Sequence, residues 1–176
     1  GLKPLADLIL SGEFKGDIKE EAKKYIDEEK KLITEEDAIN GALDIIAEEI
    51  SDEAKYRKWI RNLVFKEGKI ESKGQSDENT PFEMYYEYSE DVFKIPPHRI
   101  LAINRGEKEK VLTVKITVNE DKIISYLEKE ILKGNNISDE YLKIAIKDSL
   151  KRLIYPSIER EVRNELTDKG EDGAIK

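Results

Sequence analysis

The chain has 176 residues, of which 38% are hydrophobic and 40% are charged, so it can form a core but has unusually polar surfaces. The absence of cysteine excludes disulfides and thiolate metal sites, and no apolar run reaches the roughly 20 residues that a membrane helix needs. The formal net charge of −8 opposes general attraction to nucleic acid, although a local basic patch could still bind it. We therefore expect a cytoplasmic protein without membrane contact.

Both ends of the chain interrupt a helical pattern. Pro4 enters a helix almost at once, and Ile158, Val162 and Leu166 still form an i, i+4 apolar stripe near the other end. Natural termini more often fray into polar residues. We therefore expect an internal fragment of a larger chain, with 1–176 forming a single multihelical region.

Residues 1–67 are predicted to be helical. Thr34 is a suitable N-cap, since its side-chain oxygen can accept a hydrogen bond from the amide of Asp37. Ser51 is the predicted cap of a later helix, which should end at Gly68. The predicted helices of this part are Pro4–Leu10, Asp17–Ile26, one that starts after Thr34 and one that starts after Ser51.

Residues 68–118 form a mixed part with the one convincing strand. In Val111–Val118, apolar side chains alternate with polar ones, which is typical of a half-buried strand. A lone strand leaves backbone groups unpaired, so we expect it to pair either with a short strand at Lys69–Lys73 or with sequence outside this chain. The other predicted elements are a polar loop at Gly74–Thr80, a short aromatic helix from Thr80 to Tyr88, and a helix from His98 to Arg105 that Gly106 ends.

Residues 119–176 are predicted to form long helices. Asn119 and Ser138 are suitable N-caps, and Pro156 should break or kink the pattern, because it lacks an N–H and clashes with the preceding turn. A further helix is expected through Glu165. The predicted fold class is mainly α, multihelical, with one long proline-broken helix pair and a minor strand or small hairpin.

The sequence contains no constellation typical of catalysis or metal binding. His98 is the single histidine, and a catalytic triad would need a nucleophile and an acid that the spacing does not locate. The acidic residues alternate with lysines on helix faces and lack a calcium-loop pattern. No glycine-rich phosphate loop or nucleophile elbow is present. We expect no enzyme activity, catalytic residue, cofactor, metal or small-molecule substrate; a hydrolase based on the acidic clusters is a further alternative.

Two groups of basic residues are candidates for nucleic-acid contacts. Arg99, Arg105 and Lys108 lie near one predicted helix and its exit, and a second stretch interleaves aromatic and basic side chains. Such mixtures can bind single-stranded nucleic acid through stacking and phosphate contacts. The competing interpretation places Trp59 in the core and pairs the arginines with local carboxylates, which fits the negative net charge better. The residues of the second stretch are Tyr56, Arg57, Trp59 and Arg61.

Several stretches resemble, in the same order, motifs of the Tex transcription accessory proteins, bacterial relatives of a eukaryotic transcription-elongation and histone-chaperone factor. The longest is Ile95–Glu107, with the sequence IPPHRILAINRGE; Pro97 departs from the motif, because a small capping residue such as serine is expected there. Each motif is modest alone, and the ordered combination covers nearly the whole chain. The other stretches are Gly1–Ala6, Ala38–Ala42 followed by Ile45–Glu48, Tyr86–Glu90 and Leu153–Glu161.

The resemblance implies a place within a larger architecture. Tex-like proteins have a helical N-terminal region, a ribonuclease-H-like domain, helix-hairpin-helix elements and a C-terminal OB-fold that binds RNA. This chain would be part of the helical N-terminal region. It would act as a scaffold segment whose parent binds RNA or DNA and modulates transcription, with contacts to the transcription machinery. The alternative is that the segment itself binds nucleic acid through the small basic patch Arg99, Arg105 and Lys108.

Overall fold

Helices dominate the computed structural model, which describes residues 1–134 and 136–175, and a small antiparallel sheet accompanies them. The predicted fold class, mainly α with a minor hairpin, is therefore confirmed. The helices are α1 (Lys3–Ser11), α2 (Ile18–Ala22), α3 (Glu35–Asp52), α4 (Ala54–Glu67), α5 (Pro97–Lys108), α6 (Glu120–Ile131), α7 (Asp139–Asp148) and α8 (Tyr155–Ile175). The strands are β1 (Lys69–Gly74), β2 (Glu87–Asp91) and β3 (Leu112–Thr117). None of the described helices is both long and apolar enough to cross a membrane.

The chain forms two compact units, and each unit is built from two separate stretches of sequence. Unit 1 comprises Gly1–Arg57 and Asp121–Tyr155, and unit 2 comprises Lys58–Glu120 and Pro156–Lys176. Each unit draws on more than one of the three parts into which the sequence was divided, and that division along the chain stays a prediction.

Unit 1 is organised around α3, which contacts α1, α2 and α7. Thr34 begins this helix as predicted: its Oγ1 accepts a hydrogen bond from the Asp37 N–H at 3.1 Å, and the Asp37 carboxylate accepts one from the Thr34 N–H at 3.1 Å. This reciprocal capping box satisfies two backbone donors at the helix start. The buried side of α3 carries small and branched apolar side chains that are fully enclosed, among them Ala38, Ala42 and Ile46.

Unit 2 contains the sheet, in the order β2-β1-β3, with both strand pairs antiparallel. Ile70 of β1 lies opposite Ile116 of β3 on one side and opposite Glu90 of β2 on the other. The strand predicted around Lys69–Lys73 is therefore the partner of β3, and that option is confirmed. Helix α5 contacts β3, whose Leu112 and Ile116 side chains are buried.

Of the two serine caps predicted at Ser51 and Ser138, the first is wrong and the second is correct in position only. Ser51 lies buried within α3, and α4 starts only after Glu53, because burial of this end of α3 outweighs the preference of serine for a cap. Ser138 occupies the N-cap position of α7 as predicted, but its buried Oγ makes no capping hydrogen bond and has no partner among the described residues. The carboxylate of Asp139 accepts from the Gly134 N–H instead, at 3.0 Å.

Two predictions in the middle of the chain are also corrected. The aromatic segment forms only a short 3-10 turn, Glu83–Tyr85, and Tyr88 lies in β2, since aromatic side chains suit a strand that gains a hydrogen-bonded neighbour. Gly106 does not end a helix but lies inside α5. A Cβ atom at this position would lie 2.5 Å from Leu112 Cδ1, so glycine permits the close approach of α5 to β3.

The interruption predicted at Pro156 takes the form of a π-helix, Ser149–Ile154, directly before α8. In it the Tyr155 N–H bonds to the Leu150 carbonyl, five residues back. A proline lacks an N–H and its ring crowds the preceding turn. A local π-helical turn is one of the ways in which a helix accommodates such an interruption. The helix therefore resumes at once and runs to Ile175, beyond the predicted end at Glu165.

Candidate functional site

Helix α5 carries all three predicted site residues and most of the longest family-like motif. Pro96 is extended at the N-cap, with φ −77° and ψ 156°, and Pro97 occupies the first helical position. Proline suits this position, because the N–H that it lacks would have no partner inside the helix. The unexpected Pro97 is therefore compatible with a normal helix start, and His98 follows it as an exposed first-turn residue.

Arg99 is held by groups on β2. Its Nη1 lies 2.5 Å from Glu90 Oε1 and 3.3 Å from the Tyr88 hydroxyl, which itself donates to Glu90 at 3.0 Å. The hydrogen bond to Glu90 raises the pKa of the Arg99 guanidinium, and burial, followed by the hydrogen bond to Glu90, raises the pKa of the Tyr88 hydroxyl. The charge of Arg99 is thus neutralised locally, and its contact joins α5 to the sheet.

Arg105 and Lys108 lie at the opposite end of α5 and are both exposed. Arg105 has 77% of its side chain exposed, and its Nε forms an ion pair with Oε2 of Glu109, the C-cap residue of α5, at 3.2 Å. Residues three apart lie on the same side of a helix, whereas Arg99 and Lys108 are nine apart, or two and a half turns, and point to opposite sides. The structure therefore brings Arg105 and Lys108 together without Arg99. Their role in binding nucleic acid stays a prediction.

The second basic stretch is engaged in internal contacts. Arg57 Nη1 donates to the Ser51 carbonyl at 3.0 Å. Arg61 pairs with Glu165 and lies with its guanidinium carbon 5.1 Å from the centre of the Phe65 ring. Trp59 is half-buried. For Arg61, the interpretation in which local carboxylates hold the arginines is the one that the structure supports.

A polar cluster that was not predicted from the sequence is centred on Arg163 of α8, and we call it the Arg163 cluster. The Arg163 guanidinium donates to both carboxylate oxygens of Glu107, at 2.7 and 3.2 Å, and to Asn104 Oδ1 at 2.9 Å. The Asn104 amide donates to Thr167 Oγ1 at 2.9 Å, and Thr167 donates to the Arg163 carbonyl at 2.8 Å. Only 18% of the Arg163 side chain is exposed, so these bonds form in a partly dehydrated environment.

The sequence holds one signal that could have indicated this cluster. Asn104 and Glu107 are three residues apart on α5, and Arg163 and Thr167 are four apart on α8, so each pair lies on one helix face. Asn104 and Glu107 also belong to the stretch Ile95–Glu107. Spacing alone does not pair two faces that lie 56 to 63 residues apart, so the contact becomes visible only in the structure.

The carboxylate of Glu159, also on α8, protects the edge of the sheet at β3. Glu159 Oε2 accepts a hydrogen bond from the Ile116 N–H of β3 at 2.7 Å. A strand edge with free backbone groups can pair with other chains, and this contact occupies one of them. Glu159 and the Arg163 cluster line a shallow groove in unit 2, and Arg160 and Asn164 are exposed along the same groove.

The chemistry of the Arg163 cluster is that of a fixed joint. Its donors and acceptors bond to one another, and bidentate arginine–carboxylate contacts give geometric precision. Among residues 1–134 and 136–175, no group of three or more His, Cys, Asp or Glu side chains is arranged to hold a metal ion. The arrangement therefore supports positioning of α5 against α8 within unit 2.

Comparison with known proteins identifies the family. A family model described as Tex central region-like matches residues 14–176. The chain is 51% identical over 180 residues to uncharacterized protein YdcI of Bacillus subtilis, covering 99% of this chain and 25% of that protein. It is 28% identical over 184 residues to transcriptional accessory protein Tex of Neisseria gonorrhoeae, covering 99% and 24%. It is 33% identical over 162 residues to human S1 RNA-binding domain-containing protein 1, covering 83% and 16%.

The chain spans a quarter or less of the length of these relatives. The family resemblance found in the motifs is confirmed, and the matching family model describes the central region, whereas the motifs were assigned to the helical N-terminal region. The chain therefore belongs to the Tex family, to whose central region its residues 14–176 correspond.

Proposed function

We propose that this chain is a non-enzymatic scaffold segment of a Tex-type transcription accessory protein. It would position the nucleic-acid-binding parts of the longer protein and offer a surface to the transcription machinery in the cytoplasm. The observation that carries the proposal is the Arg163 cluster: Asn104 and Glu107, which belong to the family-like stretch Ile95–Glu107, bind Thr167 and Arg163 of α8. A motif used to bind a ligand would leave such groups accessible.

The contacts of the Arg163 cluster fix the orientation of α5 relative to α8. Asn104 and Glu107 fix the planar Arg163 fork in two directions, and partly buried polar contacts of this kind favour one arrangement over others. Arg99 and Glu90 make a similar link between α5 and β2. A segment with these internal links suits a rigid support. Binding of RNA would then lie elsewhere in the longer protein, in keeping with the name of the human relative, an S1 RNA-binding domain-containing protein.

The test compares this chain with a full-length Tex protein that contains it. RNA and DNA binding of both are measured by fluorescence anisotropy at the same stated salt concentrations, because salt alone changes such affinities by orders of magnitude. We expect the full-length protein to bind far more tightly. Equal and strong binding by the 176-residue chain would overturn the scaffold proposal.

A matched pair of variants in the full-length protein tests the positioning role. Arg163→Met removes the links to Asn104 and Glu107, whereas Arg160→Met changes an exposed arginine three residues earlier on the same helix. We expect the first substitution to weaken RNA binding and the second to leave it unchanged. An equal effect of the two would show that loss of positive charge matters, and not the joint.

The second candidate function is direct binding of nucleic acid through Arg105 and Lys108. The observation in its favour is that both are exposed and lie on the same side of α5. Arg105→Glu with Lys108→Glu should weaken binding and flatten its salt dependence, since each lost phosphate contact changes the slope by about 0.9. The control variant, Lys58→Glu with Lys66→Glu, makes the same change of charge on α4. No difference between the two double variants removes this candidate.

A further inference from the structure

Three lysines form a continuous basic face on α7 and the π-helix that follows it. Lys143, Lys147 and Lys151 are each four residues apart, and all three are exposed. Among the described residues, none has a carboxylate oxygen within 4.0 Å of its Nζ atom. We call these three residues the lysine face.

The π-helix helps to keep the three lysines aligned. In an α-helix, positions four apart drift steadily around the axis, because one turn takes 3.6 residues. Four residues are slightly more than one α-helical turn but less than one π-turn, which contains more residues. The rotation from Lys147 to Lys151 is therefore opposite in direction to the rotation from Lys143 to Lys147. The result is a row of charges about 12 Å long, from eight residues at a rise of about 1.5 Å each.

The lysine face is an unfavourable arrangement for an isolated helix. Like charges at i, i+4 repel each other and destabilise a helix. Nearby cations avoid this: Arg152 pairs with Asp148 at 2.8 Å, and Lys3 pairs with Asp7. The lysine face also stands out against its surroundings, since unit 1 contains 22 Asp and Glu against 16 Lys and Arg, a difference of −6.

We propose that the lysine face binds the phosphate backbone of a nucleic-acid duplex. Lysine is a compact cation that contacts phosphates as a point charge, and three neighbouring phosphates would relieve the repulsion within the row. Lysine is depleted in protein–protein interfaces, which favours nucleic acid over an acidic protein as the partner. Ile144, which follows Lys143 in α7, is 56% exposed and provides no aromatic surface on which single-stranded bases could stack.

This inference goes beyond the scaffold function. The scaffold proposal assigns tight binding to other parts of a Tex protein, and the lysine face adds a weak, sequence-independent contact in unit 1 itself. A duplex held by the longer protein would gain an extra contact that salt removes easily.

The experiment measures anisotropy of labelled DNA and RNA duplexes, with single strands of the same sequence, against the 176-residue chain. Three phosphate contacts predict a slope of about −2.7 for log affinity against log salt, and a loss of about 40-fold between about 50 and 200 mM salt. The triple variant Lys143→Gln, Lys147→Gln, Lys151→Gln should lose this contribution. Its unfolding midpoint should stay the same or rise slightly, because the variant removes repulsion.

The matched control is Lys15→Gln, Lys19→Gln, Lys23→Gln. It has the same spacing and the same change of charge in the same unit, but only Lys19 lies in α2, and Lys23 pairs with Glu20 at 2.9 Å. We expect it to bind duplexes like the unchanged chain. Equal losses in both triple variants would overturn the proposal, because net charge alone would then explain the binding.

A gain-of-binding variant provides a second arm. Glu140 is exposed one turn before Lys143, so Glu140→Gln should tighten duplex binding two- to threefold at low salt. Absence of duplex binding by the unchanged chain at about 50 mM salt, or binding that the lysine substitutions leave intact, would overturn the inference. If the triple lysine variant lost binding to poly-glutamate more than binding to duplexes, the inference would also be overturned, in favour of an acidic protein partner. None of these outcomes depends on whether full-length Tex binds more tightly, so the scaffold proposal is judged separately.

Discussion

Unit 1 and unit 2 are each stabilised internally by a different kind of contact. In unit 1, α3 packs through small and branched apolar side chains such as Ala42 and Ile46, both fully buried. A buried polar contact there is the hydrogen bond from Ser149 Oγ to the Ala47 carbonyl, at 2.6 Å. In unit 2, charged and amide side chains join α5 to β2 and to α8, through the pair Arg99–Glu90 and the Arg163 cluster.

The comparison shows that apolar and polar contacts contribute differently, the first mainly to the free energy of folding and the second mainly to the choice of one arrangement. Apolar burial contributes most of the free energy of folding but tolerates many arrangements of similar volume. Polar contacts contribute less, yet each requires particular partners at particular distances. Unit 1 is therefore expected to respond most strongly to loss of volume, and unit 2 to loss of individual partners.

The largest effect is expected in the core of unit 1. Ile46→Ala removes a fully buried side chain from α3 and should lower the free energy of unfolding by about 2–5 kcal/mol, through lost burial and the cavity left behind. Ile45→Ala, at a half-buried neighbour on the same helix, should cost distinctly less. Urea denaturation followed by circular dichroism measures both. Similar losses at the two positions would contradict the packing of α3 described above.

A smaller effect is expected for the polar joint of unit 2. Arg163→Met leaves the Glu107 carboxylate and the Asn104 amide without their partner and should cost about 1–3 kcal/mol. Glu107 is 42% exposed, so water replaces part of the lost interaction. Arg160→Met, at an exposed position, should change stability by at most about 0.5 kcal/mol. A double-mutant cycle of Arg163 with Glu107 should give a clear coupling energy; additivity would show that the ion pair contributes nothing.

The same substitution should have opposite signs in the two units. Gly106→Ala places a Cβ atom 2.5 Å from Leu112 Cδ1 and 2.8 Å from its Cγ, and Leu112 is buried in the sheet. The overpacking costs about 1–3 kcal/mol, which exceeds the gain of about 1 kcal/mol from replacing a helical glycine.

Gly41→Ala is the counterpart in α3. The new Cβ atom would overlap Cδ1 of Leu2, while the Leu2 Cγ is 3.7 Å away. Cδ1 is the far end of a side chain that is only half-buried, so it can rotate away, unlike the buried Leu112. We expect Gly41→Ala to stabilise the chain by up to about 1 kcal/mol. Thermal unfolding of both variants distinguishes the cases, and a stabilised Gly106→Ala variant would contradict the close contact between α5 and β3.

The smallest effect concerns a surface pair of unit 1. The hydrogen bond from Arg152 holds the pKa of the Asp148 carboxyl below its ordinary value. A lowered pKa in the folded state stabilises the fold above the ordinary carboxyl pKa, and this contribution is lost as pH falls through the lowered pKa. Since 39% of the Asp148 side chain is exposed, the contribution should be below about 1 kcal/mol.

The check for this pair is an NMR titration of the Asp148 carboxyl. In Arg152→Gln the midpoint should move up to the ordinary aspartate range, while stability at neutral pH falls only slightly. An unchanged midpoint would mean that Arg152 is not the cause of the shift.

Local signals in the sequence predicted local structure well. The Thr34 capping box, the start of α1 near Pro4 and the alternation in Val111–Val118 all describe interactions within a few residues, and the structure confirms them. Ser51 failed as a cap, and Ser138 occupies its N-cap position without a capping hydrogen bond, because the surrounding packing competes with the local preference of serine. Tyr88 was likewise predicted wrongly from local signals, since the aromatic spacing around it fits a helix or a strand equally well.

The candidate site was predicted only in part. Arg99, Arg105 and Lys108 were recognised as one patch because they are close in sequence, and the helix separates Arg99 from the other two. The spacing of Asn104 with Glu107 and of Arg163 with Thr167 places each pair on one helix face, but it does not indicate that the two faces meet. The pairing could not be predicted, because the two helices lie 56 to 63 residues apart along the chain.

By itself, the sequence determined the helical fold class, the strand at Val111–Val118 and the family, because each follows from periodicity, caps or ordered motifs; the structure decided which strand pairs with it. Tertiary structure alone decided how the motif residues are used. It engages Arg99, Asn104 and Glu107 as links between elements of unit 2 and leaves Lys143, Lys147 and Lys151 exposed. The physical reason is that a residue's role depends on which groups surround it in space, and the chain specifies those neighbours only by folding.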